Sequence, residues 1–170
     1  MIYIYIILLV MAVLLSVWAM NKHFRHKTHK TIIPFKESVD LVGLPIVTFT
    51  NNGQKLHFLL DTGSDDSYIV PSILDDLVIL DKSDIKTTVI MGSGNVDSLG
   101  EVALNISYKD HMFTNIFKIQ SLEEAFKSAF GKRGITVHGI LGSIFFNRYN
   151  YILDFKELQA TSKYGKSSKT

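Results

Sequence analysis

The run Leu59-Leu60-Asp61-Thr62-Gly63-Ser64-Asp65-Asp66-Ser67-Tyr68-Ile69-Val70 puts a carboxylate at the mouth of an apolar segment. Leu56, Phe58, Leu59 and Leu60 read as a buried strand, and Gly63 with Ser64 forces a turn directly after the acid. Desolvating a carboxylate is costly, so Asp61 needs a partner or a task there. As a bare tripeptide, Asp61-Thr62-Gly63 fits a capped turn as well as a reactive site, because an Asp side chain accepts hydrogen bonds from N–H groups just after it in the chain. Tyr68 to Val70 then resumes the apolar pattern as a second strand.

On both sides of this run the chain consists of short apolar segments separated by turn residues. Leu44 to Thr50 and Lys55 to Leu60 flank Asn51-Asn52-Gly53, a hairpin signal because Asn and Gly accept positive φ. Lys86 to Met91 and Val96 to Tyr108 read as strands around Gly92-Ser93-Gly94-Asn95, and His111 to Ile119 comes after a turn at Lys109-Asp110. Ser121 to Phe130 changes period: Ser121 and Glu124 form a capping box, and Leu122, Ala125, Phe126 and Ala129 share one helical face ending at Gly131. Closely spaced short strands with one or two helices predict a mostly-β, barrel-like domain. Its length, roughly 125 residues, is ample for a hydrophobic core.

A second stretch, His138-Gly139-Ile140-Leu141-Gly142-Ser143 through Phe155, carries two apolar residues and a glycine, then a helical turn and a strand. Taken alone it is an ordinary buried strand and turn. Together, in this order, the two stretches resemble the retropepsin-like aspartic proteases, and Asp61-Thr62-Gly63 resembles the retroviral form of the active-site loop. The resemblance spans about Leu44 to Leu158. It implies a closed β-barrel acid-protease fold in which Ile140-Leu141-Gly142 lies close behind the catalytic loop, with Gly142 the residue that allows it. The Ser121–Gly134 segment is an addition to the family pattern.

The resemblance also implies roles. Asp61 is the catalytic carboxylate, Thr62 braces the loop across a dimer axis, and Gly63 leaves room for backbone and substrate. Asp65 and Asp66 match a pair that contacts substrate main chain, although two solvated acids capping a turn fit them equally. Gly92, Ser93 and Gly94 match the flap tip, while Asn95-Val96-Asp97 departs from the Gly- and Ile-rich flaps of the family. Read alone, Gly92-Ser93-Gly94 also suggests a phosphate loop, but the strand-loop-helix context and the Lys are missing. The chemistry needs two carboxylates ~3 Å apart sharing one proton, with a water between an acid and a base. The sequence holds one Asp-Thr-Gly, so the second Asp61 must come from a two-fold-related copy. The family's dimer is often sealed by interleaved terminal strands, for which Thr31–Lys36 and Leu158–Ser162 are the candidates.

Composition narrows the alternatives. Lys+Arg of 18 against Asp+Glu of 16 in 170 residues does not suggest a nucleic-acid partner. With no cysteine, disulfides, thiolate metal sites and cysteine nucleophiles are excluded, and neither metal nor cofactor is expected. Residues 2–20 form an uncharged apolar run with Tyr3, Tyr5 and Trp18 near its ends. As a helix it would be about 28 Å long, enough to cross the hydrocarbon core. A cleaved signal peptide would want a basic leader and a small-x-small site, which Ser16 to Met20 lacks. Lys22, Arg25, Lys27 and Lys30 crowd the far flank, which places the C-terminal domain in the cytoplasm by the positive-inside rule. His23, His26 and His29 among them read as part of a solvated basic segment at the headgroups.

The sequence therefore predicts an anchor over 1–21, a basic linker over 22–36, a retropepsin-like protease domain over 37–162 and a polar tail over 163–170. The expected activity is that of a membrane-anchored, homodimeric aspartic endopeptidase acting on peptides or proteins. A retropepsin-fold module that binds peptides or dimerises at a membrane without cleaving is the alternative. An outward-facing receptor domain would require the opposite topology.

Overall fold

A computed structural model describes residues 31–84, 88–91 and 94–162. The predicted membrane span, most of the basic linker, Lys86, Gly92, Ser93 and the polar tail lie outside the described residues. Among those described, no helix is long and apolar enough to cross a membrane.

The chain runs β1 (Ile32–Pro34), α1 (Lys36–Val42), β2 (Ile46–Asn51), β3 (Gln54–Leu60) and β4 (Tyr68–Ile69). A 3₁₀ turn (Pro71–Asp76) leads to β5 (Ile79–Ser83), β6 (Thr88–Met91), β7 (Gly94–Asp97), β8 (Gly100–Tyr108) and β9 (His111–Ile119). Then come α2 (Glu123–Phe130), β10 (Gly139–Leu141), α3 (Ser143–Tyr149), β11 (Tyr151–Asp154) and β12 (Gln159–Ser162). Strands pair in the order β2-β3-β10-β4-β9-β8, and Thr50 opposite Ser107 returns β8 to β2, so the sheet closes as a six-stranded barrel with β5 added along β8.

Alternation fills the barrel. Along β8, Val102, Leu104 and Ile106 point inward while Ala103 and Asn105 stay half-buried on the other side. Phe49, Phe58, Phe117 and Phe145 are fully buried, with Phe58 stacked on Phe117 at 5.2 Å between ring centres and Phe49 edge-on to Phe145 at 6.1 Å. The β2–β3 hairpin turns at Asn52 (φ 46°) and Gly53 (φ 92°), the positive-φ pair expected of Asn-Gly. Buried Asn51 serves a second purpose: its amide bonds the carbonyls of Val78 and Asn105 and accepts the Val78 N–H, stitching the hairpin to the approach to β5 and to β8.

Several expectations change. The expected long strand Val96–Tyr108 is broken at Ser98-Leu99, where β7 ends its pairing with β6 and β8 begins its pairing with β9. The capping box of Ser121 and Glu124 does not form: α2 begins at Glu123 with Leu122 at its N-cap and no side-chain cap bond, and the first-turn Glu123 takes the Ser72 N–H on Oε1 at 3.3 Å. Leu122 and Phe126 face inward but Ala125 is exposed. The sequence also showed no sign of α1, which is only seven residues long and buries Val42 before Gly43 ends it at φ 78°. Finally, the two terminal candidates pair with each other in one chain: Ile32, Ile33 and Pro34 lie opposite Thr161, Ala160 and Gln159, giving a three-stranded sheet β1-β12-β11.

Two close contacts tie β10 to its neighbours and thereby position the loop after β3. His57 N–H donates to His138 Nδ1 at 2.9 Å, His138 N–H donates to the His57 carbonyl at 2.8 Å, and the two rings stack at 5.3 Å. Burial lowers both imidazoles below the ordinary histidine value, with Lys55 adding to the effect on His57 and His57 to that on His138. Accepting from a backbone N–H requires Nδ1 of His138 to be unprotonated, so a second proton breaks that bond. Because the folded-state values are lowered, the unfolded chain binds more protons on the acid side. Stability is therefore complete above the ordinary value of 6.5 and declines as pH falls through the lowered folded values. Urea unfolding at pH 7.5 and pH 5 will show this loss, and His138→Asn, which keeps an acceptor near the Nδ1 position but cannot titrate, will reduce it to the part that His57 contributes.

The second contact is at Gly142. A Cβ there would overlap the Asp66 carbonyl and stand 2.7 Å from the Ser64 carbonyl oxygen, both backbone atoms that cannot rotate away. Gly142→Ala is expected to cost ~1–3 kcal/mol. Gly131→Ala, at a position of helical φ with only the Lys127 side chain at 3.4 Å, will be nearly silent. Equal melting temperatures for the two variants would refute the packing role.

Candidate active site

Asp61 comes directly after the last residue of β3, where parallel pairing with β10 sets Leu60 opposite Leu141. The strand ladder continues one step into the loop, for Asp61 N–H donates to the Leu141 carbonyl at 3.0 Å. The half-buried carboxylate accepts the Gly63 N–H at 2.9 Å through Oδ1, and the Asp61 carbonyl accepts the Ser64 N–H at 3.3 Å. This is the turn-capping geometry that the bare tripeptide permits, and it holds the acid at the rim with its orientation fixed. Gly63 stands so near that a Cβ would lie 3.2 Å from Asp61 Oδ1, which would crowd the carboxylate. Thr62 and Gly63 are exposed.

Beyond the turn the loop is held from below by the start of α3. Ser143 N–H donates to the Ser64 carbonyl at 2.7 Å and Ile144 N–H to the Asp65 carbonyl at 3.1 Å, while Ser143 Oγ also donates to Asp65. These are donors of a first helical turn, which have no partner within the helix. No side chain caps α3, so the loop carbonyls take that place. Ser67, almost fully buried, accepts the Gly142 N–H at 3.2 Å on its hydroxyl and the Lys118 N–H at 2.9 Å on its carbonyl. Of the predicted structural trio, Leu141 is wholly buried in the barrel, Ile140 is half-buried on the opposite face, and Gly142 supplies the close approach.

The structure separates the two other acids. Asp65 is exposed, whereas Asp66 forms an ion pair with Lys118 Nζ at 2.6 Å, with the lysine side chain only 17% exposed. The bond to Asp66 raises the Lys118 ammonium above its ordinary value, and burial, with the Asp66 charge second, raises the Tyr68 phenol. Lys118 was not picked out from sequence. A lysine near the end of an apolar strand gives no sign that parallel pairing sets it against Tyr68, two residues beyond Asp66. Gly139 was also missed: a Cβ there would overlap the Tyr68 carbonyl and meet the Phe58 ring at 2.9 Å. Of the flap residues, Gly94 opens β7 opposite Met91, and Gly92 and Ser93 lie outside the described residues. Among the described residues no cluster of His, Asp and Glu could hold a metal ion.

No protein-family model matches the sequence, and no curated protein matches it significantly. Solved structures do. A retropepsin-like aspartic protease from Rickettsia conorii is similar at TM-score 0.51 and 17% identity, covering 78% of this chain and 90% of that one. The EIAV protease, complexed with an inhibitor, is similar at TM-score 0.50 and 21% identity, covering 66% of this chain and 93% of that one. At such identities the likeness establishes the fold: this chain has the mostly-β architecture of the retropepsins.

Proposed function

We propose that this chain is an aspartic endopeptidase that works as a homodimer, tethered to a membrane by residues 2–20 with its barrel on the cytoplasmic side. The observation that carries the reading is Asp61, held at the barrel rim by the Gly63 N–H and the Leu141 carbonyl in a chain of retropepsin fold. Two such carboxylates facing each other across a two-fold axis share one proton. A water between them loses a proton to the ionised Asp61, while the protonated Asp61 of the other copy polarises the peptide carbonyl. Thr62 braces the paired loops, Gly63 keeps the carboxylate uncrowded, and Asp65 receives substrate main chain. Asp66, engaged by Lys118, shapes the wall beside it. Residues 92–94 close over the bound peptide and exclude water.

Because β1 and β12 pair within one chain, a seal of strands exchanged between subunits is not needed to order them. The outer face of their sheet offers a surface instead. Ile33, Ala160 and Leu153 face the core, and the alternate row Ile32, Thr161 and Ile152 faces outward, with Ile32 and Ile152 exposed. A second copy covering this row would bury apolar surface that one chain leaves in water.

Asp61→Asn keeps size and most hydrogen bonding but removes the ionisable group. Cleavage of a peptide library will vanish in this variant while its melting temperature stays near that of the parent. Undiminished proteolysis would sink the mechanism. Retained peptide binding by a parent protein that never cleaves would favour the non-catalytic alternative.

The tether bears on activity because confining subunits to a bilayer raises their effective concentration. A fragment starting at Thr31 will be mostly monomeric when dilute, with specific activity rising steeply on concentration, and fusion to an unrelated dimeric module will restore it. Ile152→Asp will shift that rise to higher concentration. Sedimentation and turnover across a dilution series test this. A fragment dimeric and fully active at nanomolar levels would leave the anchor a role in location only.

A further inference from the structure

The α2 insertion meets the barrel on the side that carries Asp61. Leu122 and Phe126 pack with Tyr68, Val70 and Val137 in a second apolar cluster, against which Leu59 and Ile140 are also packed. Ile140 lies opposite both Leu59 and Tyr68, and Leu59 is two residues before Asp61, so strand alternation continued one step turns both to the same side. The apolar surface beneath α2 is therefore continuous with the candidate site.

The helix does not fill that surface. A cavity of about 300 Å³ remains between α2, the 3₁₀ turn and residues 135–138, with Val70, Ile73, Phe126, Ile135 and Val137 among its lining. Its walls are fastened at both ends of the insertion, by Glu123 to the Ser72 N–H and by Arg133 Nη1 to the Val42 carbonyl at 2.9 Å. The lining also carries Ser72, Glu123, Lys127, Thr136 and His138, of which Glu123 accepts from the Ser72 N–H and His138 Nδ1 from the His57 N–H. With those two acceptors engaged and most of the lining surface apolar, the cavity suits an apolar side chain, with Lys127 as the cation among its lining. His138 lies three positions before Leu141, whose carbonyl holds Asp61, a span of about 10 Å along the strand. An extended peptide lying over Asp61 covers that span in about three residues.

We propose that this cavity is a substrate subsite that accepts a large apolar side chain about three residues from the scissile bond. The two-fold partner would supply an equivalent subsite for the other end of the peptide. The proposal rests on the endopeptidase reading above and makes the insertion a specificity element.

The test uses the full chain and peptides that differ only at the third residue from the cleaved bond, Phe or Leu against Ala, Asp or Lys. The apolar peptides are expected to be favoured about ten-fold or more in kcat/KM, on both sides of the bond. Ile135→Trp, which fills the cavity from a half-buried position, will bring the Phe-to-Ala ratio in kcat/KM near one while its melting temperature stays near that of the parent. Phe126→Ala, which enlarges the cavity, will shift the preference towards Trp. Binding of the same uncleaved peptides to Asp61→Asn, measured by fluorescence anisotropy, will show the same ranking. Asp61-dependent cleavage with no preference at this position, or a preference that Ile135→Trp leaves intact, overturns the subsite and spares the enzyme. No cleavage, and no ranking among bound peptides, overturns both.

Discussion

The approach of the Gly142 backbone to the Ser64–Asp66 loop is the contact on which the geometry of the site depends. Strand β10 delivers its last residue, Leu141, to accept the Asp61 N–H, and one residue later the chain must pass the loop at a distance that no side chain allows. Helix α3 starts there, and its first free N–H groups find carbonyls of that loop rather than water or a capping side chain. Loop and helix satisfy each other's backbone, so the carboxylate rests on a hydrogen-bonded frame rather than on a mobile connection. Ser67 extends the frame, joining Gly142 on one side to Lys118 on the other.

The acids of the loop are divided by what surrounds them. Asp61 has a backbone N–H as its hydrogen-bond donor and stands at the rim, while Asp66 is turned against the Lys118 ammonium. The ion pair removes one negative charge from the neighbourhood of Asp61 without bringing a cation to Asp61 itself. Tyr68, on β4 opposite Lys118 and two residues beyond Asp66, links the loop to the apolar cluster under α2. The insertion packs on this cluster, and it is fastened by Glu123 at the start of its helix and by Arg133 in the 3₁₀ turn after it, each bonded to a distant backbone group. The terminal strands occupy each other within the chain, leaving an apolar outer row that distinguishes this sheet from an exchange of strands between subunits.

Much of this architecture was legible in residue order alone. The Asn51-Asn52-Gly53 hairpin, the apolar strand ending at Asp61 and the strand-glycine-helix run at 139–149 are local patterns, and local patterns survive in sequence because φ preferences and alternation act within a few residues. The capping box of Ser121 and Glu124 failed for the opposite reason: the helix starts one residue later than that box requires, with Leu122 at its N-cap, and its first-turn Glu123 bonds Ser72, a group 51 positions away that no local rule weighs. α1 was missed because seven residues between apolar strand-like runs give too little periodicity to separate helix from strand.

By itself the sequence determined that an acid stands where a buried strand ends, that a glycine closes the matching strand at 142, and that each chain carries one such acid. Chemistry and chain order suffice for these. The tertiary structure alone decided that Lys118 engages Asp66, that Gly139 as well as Gly142 must lack a side chain, that His57 and His138 stack, and that α2 leaves a cavity against residues 135–138. Each of these depends on strand register between segments far apart in the chain, and register is set by how the whole barrel closes rather than by any residue's own preference.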